Sequence, residues 1–455
     1  MMSDGSAIVI GGSLVGLMAA RVLADYFEQV TIIERDRFPA GPEPRAGVPQ
    51  ARHLHVLLAR GNQIMQRLFP GLDAELDAAG VSRVELGYDT AIYTRGGWGP
   101  RFHSGIFTRS ISRALLEHTV RARLLAYGRV SILEGWQADG LIAHPDGLRV
   151  TGVTIQARGG SAETRTLDAA LVVDASGRAS RAPEWLQSLG YDAPQETIIN
   201  AFLGYASRWY EKPAGFATFW KDLLIASLPP YNARGGGLWE VEDGRWVVTL
   251  AGANRDYPPT DEAGFMDFAR SLPVPDLYDA IRQARPLGEI YGYRRTENRW
   301  RHYERLSRWP EGFAVLGDAA CGFNPIYGQG MTVGALQVEM LESCLRTGDL
   351  PGVGWRFQKG MRAAVQAAWL MATGEDFRYP ATEGGRPDLA SRLVQRYVDR
   401  FQVLLADDTK MARAFLEVTN LMQPPESLFR PAFAWRVLRG GSLDGRRAAA
   451  HRAAG

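Results

Sequence analysis

An apolar run that stops on glycine and restarts as a helical pattern is the feature that most restricts this chain. Residues Ala7 to Ile10 are continuously apolar and meet Gly11 and Gly12, after which Leu14, Leu17, Met18, Arg21, Val22 and Leu23 recur at helical spacing. A second apolar run, Val30 to Ile33, ends on Glu34, 18 residues beyond Gly16. An interval of about 20 residues is the one at which a ribose-binding acid follows such a turn. The spacing predicts strand, turn, helix, strand, with an acid at the tip. Gly11 permits the tight turn, free amides at the helix start face a pyrophosphate, and Gly16 lets helix and strand approach closely. Glu34 accepts hydrogen bonds from ribose hydroxyls, and Arg35 follows it directly. The middle glycine of the usual GxGxxG pattern is Ser13, which is small and donates a hydrogen bond. The same spacing recurs at Gly440, Gly441, Ser442 and Gly445, but RRAAAHRAAG follows, with no second strand or acid, so context selects the N-terminal copy.

A nucleotide unit alone does not separate FAD from NAD. Two distant segments do. Leu171, Val172 and Val173 run into Asp174 in LVVDASGRASR, and Phe313 to Leu316 run into Gly317 and Asp318 in FAVLGDAACGFNPIYGQGMTVGAL. Both read as buried strands ending in an acid. The second continues through a Gly/Pro-rich loop, Asn324 to Gly330, into a helical pattern from Met331 to about Leu345, which places free amides where an electron-rich ring edge fits.

In these three motifs and their order, the sequence resembles the single-component FAD-dependent monooxygenases of the p-hydroxybenzoate hydroxylase fold. The resemblance implies that Gly11, Gly12, Ser13, Gly16, Glu34 and Arg35 serve the ADP half of FAD. It implies that Asp318 binds the ribityl chain and that Pro325, Gly328, Gln329, Gly330 and Met331 line the isoalloxazine. Asp174 falls in a motif linked in that family to flavin and nicotinamide binding, although Ala175 stands where glycine is usual. The stretch PRAGVPQARHLHVLLARG is similar to a subgroup that includes polyketide polyene epoxidases and flavin-containing cyclases. The resemblance makes Arg45 and Arg113 cofactor contacts, since a guanidinium fork suits a pyrophosphate. His53 and His55 alternate about Leu54, so at most one faces the flavin, and neither is taken as a catalytic acid.

Composition closes off other classes. Lys+Arg number 52 against Asp+Glu 50, a formal charge of +2, which gives no strong overall field toward nucleic acid or an anionic membrane. Two cysteines, Cys321 and Cys344, build no disulfide framework, no Cys/His cluster has metal-ligand spacing, and a reduced cytoplasmic setting is expected. The start MMSDGSAIVIGG reads as a first strand rather than a signal peptide, and no run reaches the roughly 18 to 20 apolar residues of a membrane span.

Between Ser180 and Gly288 the texture changes to short β-like runs and turn clusters, a mostly antiparallel sheet carrying Phe202, Tyr205, Trp209, Tyr210, Phe216, Phe219, Trp220, Trp239 and Trp246. Most of these aromatics are expected to be core, with a minority touching substrate. Beyond Gly354 a helical region reaches about Arg439, interrupted at TGEDFRYPATEGGRPD and QPPES. Glu375 and Asp376, just after a helical run ending near Thr373, are candidates for paired acids in a cavity; a solvated helix end is the plainer reading.

The expected fold is α/β: a Rossmann-like FAD-binding domain of the p-hydroxybenzoate hydroxylase and glutathione reductase type, in segments 1–80, 105–180 and 289–353. A substrate-binding sheet domain occupies 81–104 and 181–288, a helical region 354–440 and a mobile tail 441–455. As the resemblance implies, NAD(P)H binds transiently and reduces FAD, O2 adds at the flavin C4a carbon, and the distal oxygen of the hydroperoxide passes to a bulky, apolar natural product by hydroxylation or epoxidation. No side chain is assigned a catalytic role. The alternative is a cyclase in which FAD mainly shapes the pocket. Flavin halogenases carry an activating lysine in their N-terminal third and a WxWxIP pattern; this chain has no lysine before Lys212 and lacks that pattern.

Overall fold

Ala7, Ile8, Val9 and Ile10 are all buried, which fits a strand paired on both edges and covered on both faces. In the computed structural model, which describes residues 3–159, 163–347 and 350–440, they end the central strand β1 (Ser3–Ile10) of a five-stranded parallel sheet. Its other strands are β2 (Phe27–Glu34), β3 (Val130–Glu134), β4 (Leu171–Asp174) and β5 (Phe313–Val315), in the order β5, β4, β1, β2, β3. The register sets Ile10 opposite both Ile33 and Asp174, and Asp174 opposite Val315. Helices α1 (Leu14–Leu23), α2 (Arg113–Leu125) and α3 (Gly330–Arg346) belong to the same unit, with α1 packed on both others. Ser112 caps α2, its hydroxyl accepting from the Leu115 amide at 3.1 Å. A three-stranded antiparallel sheet, Trp136–Ala143, Val150–Ala157 and Thr164–Asp168, is inserted before β4.

The chain forms two compact units. One comprises Met1–Val81, Ile111–Ile199 and Thr296–Ala372; the other comprises Ser82–Ser110, Asn200–Arg295 and Thr373–Gly455. The second is built on a seven-stranded sheet. In spatial order its strands are Arg285–Tyr293, Gly204–Glu211, Arg245–Gly252, Arg234–Glu240, Asp222–Ile225, Thr90–Thr94 and Gly97–Trp98. Every neighbouring pair is antiparallel except Asp222–Ile225 with Thr90–Thr94. Side chains alternate between faces. Ala206, Tyr210, Leu238, Trp246 and Leu250 point to a core closed by Phe265, Phe268, Leu277 and Ile281. Tyr205, Ser207 and Trp209 alternate with that set and so lie on the opposite face.

The C-terminal helices are α4 (Val353–Asp376), α5 (Leu389–Leu404), α6 (Thr409–Thr419) and α7 (Pro431–Arg439). Helix α4 runs past the Thr373 limit read from sequence, because Gly374 does not stop it, so Glu375 and Asp376 lie in its last turn. The break between α5 and α6 carried no strong sequence signal; Asp408 caps α6, accepting from the amides of Lys410 at 2.9 Å and Met411 at 3.2 Å. The tail expected at 441–455 lies outside the described residues.

Candidate cofactor site

Parallel strands align their carboxyl ends, and ligands of open α/β sheets sit beyond those ends. The first unit therefore presents Gly11, Glu34 and Asp174 along one edge, followed by Asp318 two residues after Leu316. Gly11 adopts φ +105, and a Cβ there would lie 2.6 Å from the Ala175 carbonyl oxygen. At Gly16 a Cβ would meet the Gly11 carbonyl oxygen at 1.9 Å. Only glycine fits either place, which is how the turn brings α1 onto β1. Glu34 is 4% exposed; one carboxylate oxygen accepts from the Gly12 amide at 2.8 Å and the other from the Asp36 amide at 2.9 Å. Asp174, fully buried, accepts from the Ser180 hydroxyl at 2.6 Å and the Ser176 amide at 2.9 Å. Burial pushes its carboxyl above the ordinary range, with those hydrogen bonds opposing.

Beside the turn lies a buried charge cluster. Arg45 Nε donates to Glu117 Oε1 at 2.8 Å, while its Nη1 lies 2.8 Å from Asp36 Oδ2 and 3.2 Å from Glu34 Oε1. Arg113 Nη2 reaches Glu117 Oε2 at 2.8 Å and donates to Ser13 Oγ at 2.7 Å. Burial alone would raise the Glu117 carboxyl, but Arg113 and Arg45 hold it below its ordinary value. Burial lowers Arg113, Glu117 opposing and Arg45 reinforcing the shift. The cluster joins four residues singled out in the sequence (Ser13, Glu34, Arg45 and Arg113) with two that were not, Asp36 and Glu117. The signal for Glu117 was available: it stands four residues after Arg113 on one helix face. Arg35 is exposed, and the structure does not bring it into the cluster.

At the other end, Asn324 caps the turn Pro325–Tyr327, and Gly328 takes a left-handed φ of +64. A Cβ on Gly328 would be 3.2 Å from Val56 Cβ, so the HLHVLL segment reaches this turn. Gln329 precedes α3, which begins with Gly330 and Met331, and a Cβ on Gly330 would lie 3.9 Å from Asp318 Oδ1. Asp318 also faces Arg178 Nε at 3.8 Å. His53 is 8% exposed, and burial holds its pKa at about 4, the charge of Arg52 adding to the shift. His55, whose Nδ1 is 3.0 Å from the His53 carbonyl, is lowered to about 3 by burial and then by Arg113. Both are neutral imidazoles near pH 7.

Among the buried side-chain polar atoms of this unit that have no hydrogen-bond partner within the described residues, two belong to residues of these turns and the cluster: Arg113 Nη1 and Gln329 Oε1. A guanidinium N–H suits a phosphate oxygen, and an amide at a helix start suits a polar ring edge. These residues fit FAD. Arg113, the Ser13 amide and Glu34 would hold its nucleotide half; Asp318 and Gln329 to Met331 would hold the flavin half.

In the second unit, Glu375 pairs with Arg378 at 3.0 Å, and Asp376 is fully buried rather than solvated, because the chain folds back over the end of α4 and Thr382 donates to the Asp376 carbonyl. The sequence reading missed Asp222. It is 2% exposed and accepts from the Ser110 hydroxyl at 3.0 Å. Burial pushes its carboxyl well above the ordinary range, with the Ser110 hydrogen bond opposing. Nothing near it in sequence announces that burial.

The FAD binding domain family matches residues 4–204. Protein Rv3254 of Mycobacterium tuberculosis is 36% identical over 435 residues, 91% of this chain and 89% of that protein. Kynurenine 3-monooxygenase of Salinispora tropica is 26% identical, over 74% of this chain and 72% of its own. Among solved structures, the flavin-dependent brominase Bmp2 has a TM-score of 0.64 at 14% identity, covering 92% of this chain and 94% of that one, a likeness of fold. With the strand-end acids and the glycine turn in place, these matches establish that the chain belongs to the FAD-dependent monooxygenases, oxidoreductases of the p-hydroxybenzoate hydroxylase fold.

Proposed function

We propose that this monooxygenase hydroxylates or epoxidises a bulky, largely apolar natural product. Bound FAD, reduced by a nicotinamide donor, supplies the oxygen chemistry. The chain's own part is positioning. The Ser13 amide and the Arg113 guanidinium orient the nucleotide, Glu34 accepts from the ribose, and Gln329 to Met331 present amides to the ring edge.

The observation that carries the substrate class is the sheet face opposite the Phe265–Ile281 packing. Cross-strand pairing sets Tyr205 beside Tyr293, Ser207 beside Thr249 and Tyr291, and Trp209 beside Val247. Trp239 is paired to Val247 on the next strand. Aromatic walls with a few hydroxyls suit an apolar molecule bearing oxygen functions. The similarity to kynurenine 3-monooxygenase supports a ring-bearing substrate, and the likeness of PRAGVPQARHLHVLLARG to polyketide epoxidases supports a natural product.

The test is anaerobic stopped-flow bleaching of the purified yellow protein by NADH or NADPH, followed by O2 with candidate polyenes or polycyclic aromatics. The expected result is substrate-stimulated bleaching and a product one oxygen heavier. A cyclised product of unchanged mass, formed without nicotinamide oxidation, would replace this reading with that of a cyclase.

A further inference from the structure

Helices α5 and α7 of the second unit leave large apolar side chains in solvent. Leu389 and Leu393 on α5 are 77% and 64% exposed; Trp435 and Leu438 on α7 are 56% and 71% exposed. Their inner faces are accounted for, since Tyr397 stacks on Phe429 at 4.5 Å and Phe401 meets Phe433 at 5.8 Å. The outer faces mix apolar and cationic groups in register. Leu389, Leu393, Arg396 and Arg400, all exposed, stand at i, i+4, i+7 and i+11, one side of a helix. On α7, Val437 is buried while Trp435, Leu438 and Arg439 face away from it, the Arg439 guanidinium lying 3.8 Å over the Trp435 ring. Arg392 is exposed beside the α5 stripe. The acid on these two helices, Asp399, is turned to Arg378 at 2.6 Å.

We infer that the outer faces of α5 and α7 dock on an anionic lipid bilayer. Apolar exposure alone would equally suit a second copy of the chain. Charge decides between them: a two-fold contact would set the patch bearing Arg392, Arg396, Arg400 and Arg439 against a second copy of the same patch, like charge against like. Anionic headgroups neutralise those same arginines while Leu389, Leu393, Trp435 and Leu438 enter the boundary between headgroups and acyl chains. No helix among the described residues is long and apolar enough to cross a membrane, so the attachment is peripheral. It is independent of which substrate the enzyme oxidises.

Flotation of the full chain with vesicles of phosphatidylcholine alone, or of equimolar phosphatidylcholine and phosphatidylglycerol, tests this. Binding is expected only to the mixed vesicles and is expected to weaken with salt. Arg396→Gln and Arg400→Gln should each weaken it by about fivefold, the effect of about 1 kcal/mol per surface arginine. Leu389→Ser with Leu393→Ser should abolish it. Unchanged flavin absorbance and melting temperature in the variants would show that they are folded. Absence of the wild-type chain from mixed vesicles, or undiminished binding by the variants, overturns the inference. So does a wild-type dimer that Leu393→Ser converts to monomer, which would assign the face to a second copy.

Discussion

Glu117 shows how one side chain sets the state of a buried site. It is the shared partner of Arg45 and Arg113, each about as buried as itself. Arg45 keeps Asp36 and Glu34, but removing Glu117 leaves Arg113 without its acid and repelled by Arg45 in a poorly solvated place, and breaking a buried pair in this way costs about 3 to 5 kcal/mol. Glu117→Ala is therefore expected to lower urea stability by about that amount; a loss below about 1 kcal/mol, the scale of an exposed pair, would mean the cluster is solvated. As a proposed holder of the flavin half, Asp318 is expected to act on the cofactor rather than the fold. Asp318→Ala should purify with a markedly lower flavin-to-protein absorbance ratio, and full yellow occupancy would contradict its assignment. His53 supplies a pH dependence. Its pKa falls from 6.5 in the unfolded chain to about 4 in the folded one, so the unfolded state takes up the proton first as pH drops. Its contribution to stability is present above pH 6.5 and is lost as the pH falls toward about 4. Unfolding free energies across that window should fall less steeply in His53→Gln than in the unaltered chain; parallel slopes would remove His53 as the cause.

At the scale of elements, the contact between β1 and α1 is the most sensitive. A methyl group at Gly16 has nowhere to go, because the atom it would strike at 1.9 Å is the backbone oxygen of Gly11, which cannot rotate aside. Gly16→Ala should cost on the order of 3 kcal/mol, the upper range for overpacking, and reduce flavin retention together with stability. Calorimetry of the variant would show both; an unshifted transition would mean that α1 can tilt away from the sheet at little cost. Sequence anticipated this junction because continuous apolar runs, a glycine turn and helical spacing are local signals. The same holds for the strand-end acids Glu34, Asp174 and Asp318. It did not anticipate the α5–α6 break, where the capping acid Asp408 is one of two adjacent aspartates in an otherwise helical stretch.

At the scale of the whole molecule, neither unit is a continuous stretch of chain. The backbone passes from one to the other after residues 81, 110, 199, 295 and 372. A single proteolytic cut therefore frees neither unit. After limited proteolysis the fragments are expected to travel together in gel filtration and to separate only in denaturant; a flavin-bearing fragment released under native conditions would contradict the division.

The amino-acid order by itself determined the α/β class, the dinucleotide turn and the acids at the ends of buried strands, because each is written within a few neighbouring residues through period, size and backbone freedom. Only the tertiary structure decided that Arg45 spends its hydrogen bonds on Glu117, 72 residues away, and on Asp36. It also decided that Asp222 is buried beside Ser110, and that Leu393 and Arg396 share an uncovered face. Charge pairing and burial depend on which distant segments meet, and one chain read in order carries no record of distance in space.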